Sequence, residues 1–313
     1  MAEIGIVIVT YRSEAEIGAC LDAVLRSGAE IVVVDNASGP ELAEQVRARG
    51  VLFIANPDNR GFASAVNQGV DALSCPYILL LNPDAIVERG LELLRAACDL
   101  PGSAGAGGCL IGADGHPQVG FMVRALPTPA ALILEALLLN RVFRWNPVNR
   151  RYRALLLDVS KRSVVEQPAG AFLMFRRKVW EELGGFDAGF HPLWFEDVDF
   201  CRRVADRGYL LYFEPGAVAR HTGAHSVSKI AVESRPVYWY ASLIRYAAKH
   251  FRPTAFRAVC LAVLAGAAVR ALAGSAAERS VRPLAAYRKV ARLACREFIH
   301  GRRDEVVFKG PSG

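Results

Sequence analysis

Four short apolar runs, at residues 3–10, 31–34, 51–55 and 77–81, alternate with segments of helical periodicity, and this alternation constrains the fold more than any other feature. Each run is rich in Ile, Val or Leu with little polar interruption, as expected of strands buried on both faces. Between the first two, Ile17, Leu21, Val24 and Leu25 share one helical face. Ser13-x-x-Glu16 has the spacing of a capping box, and Gly28 supplies the stop. Pro40 suits the first turn of a helix reaching Gly50. Residues 61–73 form a third helical pattern, with Phe62, Ala65, Val66, Gly69 and Val70 inward. Strand–helix repetition at this spacing predicts an α/β fold with a doubly wound, mostly parallel sheet.

The 313 residues, 52% of them hydrophobic, suffice for one large core or two smaller ones and exclude extensive disorder. Seven cysteines stand singly with no C-x-x-C pair, which predicts reduced thiols in a reducing compartment. The first apolar run is too short for a signal peptide, so it is expected to be a strand. Charge is unevenly placed. Residues 237–313 carry 14 Lys/Arg and 4 Asp/Glu, a net +10, and the remainder carries 24 and 27, a net −3. A basic tail implies an anionic partner, nucleic acid or membrane. No nucleic-acid motif of known spacing occurs and the tail is also apolar, so a membrane surface is favoured and nucleic acid is not.

In an open α/β sheet, ligands sit outside the carboxyl ends of the strands. The fourth run ends in Asn82-Pro83-Asp84, which directs Asp84 into that crevice unless it is only a turn residue after Pro83. The first run ends in Thr10-Tyr11 and the second in Asp35-Asn36, so these tips should lie near Asp84. The Asp35 carboxylate can accept the N3–H of a pyrimidine with Tyr11 packed on its ring, or Asp35 and Asn36 can simply form an Asx-turn. Asn59 and Asn67 bracket small residues, and the helix start at Gly61 either faces phosphate or packs closely on the sheet. The absence of G-x-G-x-x-G after the first run argues against a dinucleotide-binding dehydrogenase.

Several segments in order carry a family resemblance: V-T-Y at residues 9–11, D-N-A-S at 35–38, N-R-G-F-A-x-A-x-N-x-G at 59–69 and L-N-P-D-A at 81–85. Gly170-Ala171-Phe172, Gly184-Gly185-Phe186-Asp187, Trp194-Phe195-Glu196-Asp197-Val198-Asp199 and the run from His221 to Ser226 extend it. Together they resemble the family-2 inverting glycosyltransferases, particularly a rhamnosyltransferase-like branch, over roughly residues 3–250. The resemblance implies a GT-A-type nucleotide-sugar-binding domain at 1–236, with a donor half to about 115 and a mixed acceptor half from 116. C-terminal helices follow at 237–313.

The resemblance also implies roles. The family's D-x-D element binds Mg²⁺ or Mn²⁺ on the donor diphosphate, and here it reads Asn82-Pro83-Asp84, with one carboxylate missing. One carboxylate with substrate phosphates and waters is enough for Mg²⁺. His221 matches the family's histidine near the metal, with His225 competing. Thr10, Tyr11, Asp35, Asn59, Gly61, Asn67, Asn82 and Asp84 are the expected donor contacts. Gly170 and Ala171 open a strand with room for a sugar, and with Trp194 and Glu196 would contact the acceptor. Asp197 is the expected general base. Glu196, Asp197 and Asp199 crowd one helix start, partly because acids favour helix N-termini.

The expected reaction transfers rhamnose or another deoxyhexose from a nucleoside diphosphate sugar to a polyprenyl-linked or other saccharide acceptor, in cell-surface polysaccharide synthesis. A sugar nucleotidyltransferase and a non-catalytic nucleotide-sugar-binding or scaffold protein are the alternatives; the former would need a basic Gly-rich loop after the first strand, which is absent. Residues 117–124 suggest a strand and 145–165 a loop over the site. Residues 128–142 suggest a helix that is either buried or set against lipid, with Trp145 at the interface. In the tail, residues 237–251 read as an aromatic-basic helix, and the apolar run 258–269 is shorter than the ~20 residues that span a bilayer. Leu284, Tyr287, Val290, Ala294 and Phe298 repeat as on an interfacial or an ordinary amphipathic helix. A cytoplasmic enzyme peripheral to the inner face of the cell membrane is expected, and a second copy of the chain is among the partners it allows.

Overall fold

The computed structural model describes residues 2–223 and 229–301. The chain divides into two units: Met1–Leu126, Arg153–Ala188 and Glu196–Lys229 in the first, and Pro127–Tyr152, Gly189–Phe195 and Ile230–Gly313 in the second. Two short internal segments therefore group with the tail.

Strands of the first unit are β1 (Ile4–Thr10), β2 (Glu30–Asn36), β3 (Leu52–Asn56), β4 (Tyr77–Leu81), β5 (Ala85–Arg89), β6 (Ser103–Ile111), β7 (Val123–Arg124), β8 (Ser163–Val165), β9 (Gln167–Pro168), β10 (Phe172–Arg176) and β11 (Leu210–His221). Nine of them form one sheet in the order β3-β2-β1-β4-β10-β6-β11-β5, with β8 also on β11, and β7 and β9 make a separate ribbon. The first four strands are parallel, as the alternation predicts. β10 then inserts antiparallel between β4 and β6, so the sheet is mixed.

Period-two alternation sends Ile6 and Ile8 of β1 into one core and Val7 and Val9 into the other. Helices Ile17–Val24 and Leu91–Cys98 contribute Leu21 and Leu94 to the first core; Phe62–Asp71 contributes Val66 and Val70 to the second. Gly69 is required there, because an added Cβ would press on Val7 and Val34. Each buried Val or Ile contributes ~1.5–3 kcal/mol relative to exposure.

Several local expectations change. Ser13 does not cap: its hydroxyl donates to the Tyr11 carbonyl (3.3 Å), and the helix starts after Glu16 without a side-chain cap. Leu25 lies in a 3-10 turn and is exposed rather than on the buried face. Residues 117–124 give only the two-residue β7 and an isolated bridge at Pro117. Residues 145–165 are not a loop, since they hold helix Pro147–Tyr152 and β8. The 128–142 helix is broken after Pro129–Ala136 by Leu138 at φ 65°, and a single turn, Leu139–Val142, follows.

In the second unit, helices Ser234–His250, Pro253–Glu278 and Arg282–His300 pack on one another, and Pro253–Glu278 packs on Pro129–Ala136. The apolar run expected at 258–269 sits inside a 26-residue helix, long and apolar enough by length and composition to cross a membrane. Its Phe256, Val259, Cys260, Val263 and Ala267 are nonetheless buried, which a core helix also satisfies. The buried face of Arg282–His300 is Ala286, Val290, Leu293 and Ala294, whereas Leu284 is exposed.

Candidate active site

The carboxyl ends of β1, β2 and β4 and the end of β11 place most of the expected residues in the first unit. β4 stops at Leu81, and Asn82 continues by donating its N–H to the Ala171 carbonyl (3.0 Å). Asp84 follows, almost fully buried, with His221 Nε2 3.5 Å from its Oδ1. His221 ends β11, paired with Ala85 at the start of β5, and this strand pairing brings Asp84 and His221, 137 positions apart, together. Asn82 Nδ2 lies 3.4 Å from the same Nε2.

Gln118 holds the histidine from the other side. Its Nε2 donates to the His221 carbonyl (2.8 Å), which fixes the amide orientation and leaves Oε1 3.0 Å from Nδ1. Nδ1 therefore carries a proton, which leaves Nε2, beside Asp84, as the ring atom open to a metal. The Phe121 ring stacks on the imidazole, with centroids 5.2 Å apart. Neither Gln118 nor Phe121 stood out in the sequence.

At the β1–β2 tips, Asp35 is buried and well occupied: Oδ1 accepts from the Thr10 and Ser38 hydroxyls, and Oδ2 from the Ser38 N–H (2.8 Å). Thr10 thus points at Asp35, whose carboxylate ties to the Ser38 N–H three residues on rather than closing an Asx-turn, and Oδ2 accepts one hydrogen bond among the described residues. Tyr11 is half-buried, with the Arg12 guanidinium 5.3 Å from its ring centroid. Asn36, Asn56 and Gln68 form an amide chain, with Asn56 Nδ2 donating to Asn36 Oδ1 (3.0 Å) and Gln68 Oε1 (2.9 Å). Asn36 in turn donates to the Gly61 carbonyl (3.3 Å). Asn59 Oδ1 accepts from Gly61 N–H (2.9 Å), and Gly61 adopts φ 84°, which favours glycine. Asn67 is committed elsewhere, since its amide pairs with both the N–H and the C=O of Phe186.

The three acids at the start of helix Glu196–Asp206 separate into different roles. Asp199 is fully buried and paired with Arg203 (2.8 Å), which also donates to the Leu183 and Gly185 carbonyls, so Asp199 anchors the Gly184-Gly185 turn. Asp197 Oδ2 accepts from Gly170 N–H (3.0 Å) and Gln167 Nε2 (3.3 Å), and Oδ1 accepts from Val198 N–H (2.8 Å). Burial raises its pKa, and the Gly170 and Val198 N–H groups and the Arg124 charge only partly offset this. Glu196 is buried, and its Oε2 has no hydrogen-bond partner among the described residues. Burial first and the Asp197 charge second push its pKa well above the usual carboxylate range.

The family model for glycosyl transferase family 2 matches residues 5–184, more than half of the chain and the stretch that contains the Asn82–Asp84 turn. The chain belongs to glycosyl transferase family 2. This glycosyltransferase is 28% identical over 235 residues to the N-acetylglucosaminyl-diphospho-decaprenol L-rhamnosyltransferase of Mycobacterium tuberculosis, covering 70% of this chain and 75% of that one. It is 26% identical over 176 residues to the rhamnosyltransferase WbbL of Escherichia coli, covering 55% and 62%. The mannosyltransferase PcManGT of Pyrobaculum calidifontis, solved in complex with GDP-Man and Mn²⁺, superposes with a TM-score of 0.52 over 96% of this chain and 88% of that one, at 17% identity. That likeness establishes a GT-A-like fold.

The glycosyltransferase offers a metal two groups, Asp84 and His221 Nε2, and no cluster of three or more His, Cys, Asp or Glu among the described residues. The pair fits a divalent cation that takes its remaining ligands from phosphates and water. His225 lies outside the described residues. Trp194 belongs to the second unit, where its neighbour Phe195 packs on Trp239 and Tyr246. Both Trp194 and Phe195 adopt positive φ, 77° and 70°, conformations that cost non-glycine residues ~1–3 kcal/mol each and concentrate near functional sites.

Proposed function

We propose that this glycosyltransferase transfers a deoxyhexose, rhamnose in the first instance, with inversion, from a nucleoside diphosphate sugar to a lipid-linked saccharide at a membrane surface. The observation that carries the reading is the pair Glu196–Asp197, an orphaned buried acid beside a carboxylate whose Oδ1 accepts only one hydrogen bond among the described contacts. Asp197 takes the acceptor hydroxyl proton as the acceptor oxygen bonds to the anomeric carbon. The bond from that carbon to the diphosphate oxygen breaks in the same in-line displacement, which gives inversion. Glu196, whose protonated form burial favours, donates a hydrogen bond to the acceptor or orients the base. Asp84 and His221 would hold Mg²⁺ or Mn²⁺, whose chemistry is Lewis-acid neutralisation of the departing diphosphate. The N-acetylglucosaminyl-diphospho-decaprenol and rhamnosyl names of the relatives support the acceptor class and the sugar, and the basic tail supports peripheral attachment to the inner face of the cell membrane.

A panel of uridine, thymidine and guanosine diphosphate sugars, with polyprenyl-diphosphate-linked N-acetylglucosamine as acceptor, tests the assignment with and without chelator. The expected result is metal-dependent transfer from one deoxyhexose donor, and full transfer in excess chelator would overturn the metal role. Asp197→Asn should lower kcat by ~10²–10⁴-fold, the usual share of a general base, with donor affinity retained. An active Asp197→Asn enzyme would remove Asp197 from that role.

A further inference from the structure

Residues 141–145, Arg-Val-Phe-Arg-Trp, are all exposed, and the exposure of Val142, Phe143 and Trp145 reaches 68%, 62% and 72%. Single exposed apolar residues are ordinary, but three within four positions, interleaved with Arg141 and Arg144, are not. The surrounding sequence reinforces the sign of the charge: between Glu135 and Asp158 there are five arginines and no acidic residue.

The segment is held up by a built scaffold. Buried Asn140 donates to the Glu135 carboxylate (3.1 Å) and accepts from Asn146 Nδ2 (3.2 Å). Asn146 also donates to the Phe143 carbonyl (2.7 Å), and its Oδ1 accepts from Asn149 N–H (2.9 Å). Buried Asn149 donates to the Arg144 carbonyl (2.6 Å). Asn146 and Asn149 thus satisfy the backbone of a turn whose side chains face solvent, and Asn140 ties Asn146 to the preceding helix. Polar groups placed inside to fix apolar groups outside indicate that the outward display is the purpose of the turn.

We propose that residues 141–145 are a preformed tip that inserts Phe143 and Trp145 into the interface of an anionic phospholipid bilayer. This rests on the membrane reading of the proposed function and places a contact outside the C-terminal tail. Aromatic rings settle at the headgroup level, and Arg141, Arg144 and Arg150 supply the complementary charge. Preforming the turn removes the ordering cost that a flexible segment would incur on binding.

The test uses the full chain and sucrose-loaded vesicles of phosphatidylcholine alone or with phosphatidylglycerol. Wild type should sediment with the anionic vesicles. Phe143→Ser/Trp145→Ser and Arg141→Glu/Arg144→Glu should each weaken binding by about tenfold or more, since each basic residue near an anionic surface contributes about fivefold. Donor hydrolysis in solution should be unchanged. Brominated lipid should quench a fluorescence component that Trp145→Phe lacks. If the tip variants bind anionic vesicles like wild type while Arg288→Glu/Arg292→Glu in the tail does not, the tip assignment is overturned and the membrane reading stands. If wild type binds no vesicles, both fall. If Phe143→Ser/Trp145→Ser instead converts a dimer to a monomer without changing vesicle binding, the tip contacts a second copy and the proposal is wrong.

Discussion

Replacing Gln118 by leucine should damage metal binding at a site that Gln118 does not itself touch. The glutamine makes two contacts with His221, donating to its carbonyl at 2.8 Å and accepting from Nδ1 at 3.0 Å. Loss of the second frees the imidazole to exchange tautomers and to tilt, so Nε2 no longer presents its lone pair beside Asp84 at all times. Removal of such an outer partner typically costs 10–100-fold in metal affinity, or about 1.4–2.7 kcal/mol. Stability should fall as well, because His221 is buried and both its Nδ1–H and its carbonyl lose a partner. Each such group costs ~1–3 kcal/mol, but Gln118 is half-buried and water can enter the gap, so the total should be about 1–3 kcal/mol.

A second variant separates the two effects. Gln118→Glu keeps an acceptor for Nδ1 but sets a charged acceptor oxygen against the His221 carbonyl in place of the donor, so it should lose stability while largely retaining metal affinity. Mn²⁺ affinity is read by electron paramagnetic resonance in saturating nucleoside diphosphate, and stability by thermal unfolding of the same samples. A folded Gln118→Leu protein with wild-type Mn²⁺ affinity would refute the argument that Gln118 sets the tautomer.

Further expectations concern the acid side of the site. Burial raises the pKa of both Asp197 and Glu196, so the folded state binds more protons than the unfolded chain; their contribution to stability is present below ordinary carboxylate pKa values and is lost as pH rises toward the raised folded values. Because the base must be ionised, kcat/KM should rise with pH through the raised Asp197 value, and a profile flat down to 3.8, the ordinary aspartate value, would contradict the burial argument. Asp199→Asn breaks an ion pair whose acid is fully buried and whose partner Arg203 is partly exposed, and should cost about 2–4 kcal/mol in unfolding free energy, with a melting curve close to wild type as the contrary outcome. Gly170→Ala would place a Cβ 3.3 Å from Asp197 Cβ and shift the base by a few tenths of an ångström. Given that ~1 Å of misplacement can cost ~10²-fold, a several-fold loss of kcat with unchanged donor KM is expected, and full kcat would show the carboxylate to be less tightly positioned.

The first strands were legible because β1, β2 and β4 are each buried through most of their length and therefore read as uninterrupted aliphatic runs, whereas β3, at the edge of the sheet, is apolar in sequence but mostly half-buried or exposed. β6 defied that logic. Its sequence, Ser-Ala-Gly-Ala-Gly-Gly-Cys-Leu-Ile, has little strand propensity, yet it lies centrally in the sheet. Its composition reflects clearance: a Cβ on Gly105 would collide with the Met174 carbonyl and Phe175 Cα of β10. The roles of individual polar residues were less legible, because partners lie far apart in sequence. Asn67 looks like a ligand-facing residue until Phe186, 119 positions on, takes up its amide. Gln118 becomes meaningful only once β11 delivers His221, 103 positions later. Asp199 was the exception with a local signal, since Arg203 stands at i+4 on the same helix face.

The antiparallel insertion of β10 gives a physical basis for the two chemically distinct sides of the proposed site. In a purely parallel sheet the strand beside β4 would present its carboxyl end next to Asp84, and both groups would serve the donor. Reversing β10 places its amino end there, so Gly170 and Ala171 stand beside Asn82 and Asp84. Two backbone hydrogen bonds then connect the halves: Asn82 N–H to the Ala171 carbonyl, and Gly170 N–H to Asp197 Oδ2, both 3.0 Å. Main-chain groups at a sheet edge have little freedom, so the carboxylate proposed as base is located relative to the Asp84–His221 pair by the sheet rather than by flexible side chains. The proposed in-line displacement needs that fixed separation, and the missing side chain at Gly170 lets Asp197, at the start of its helix, approach the strand closely enough to provide it.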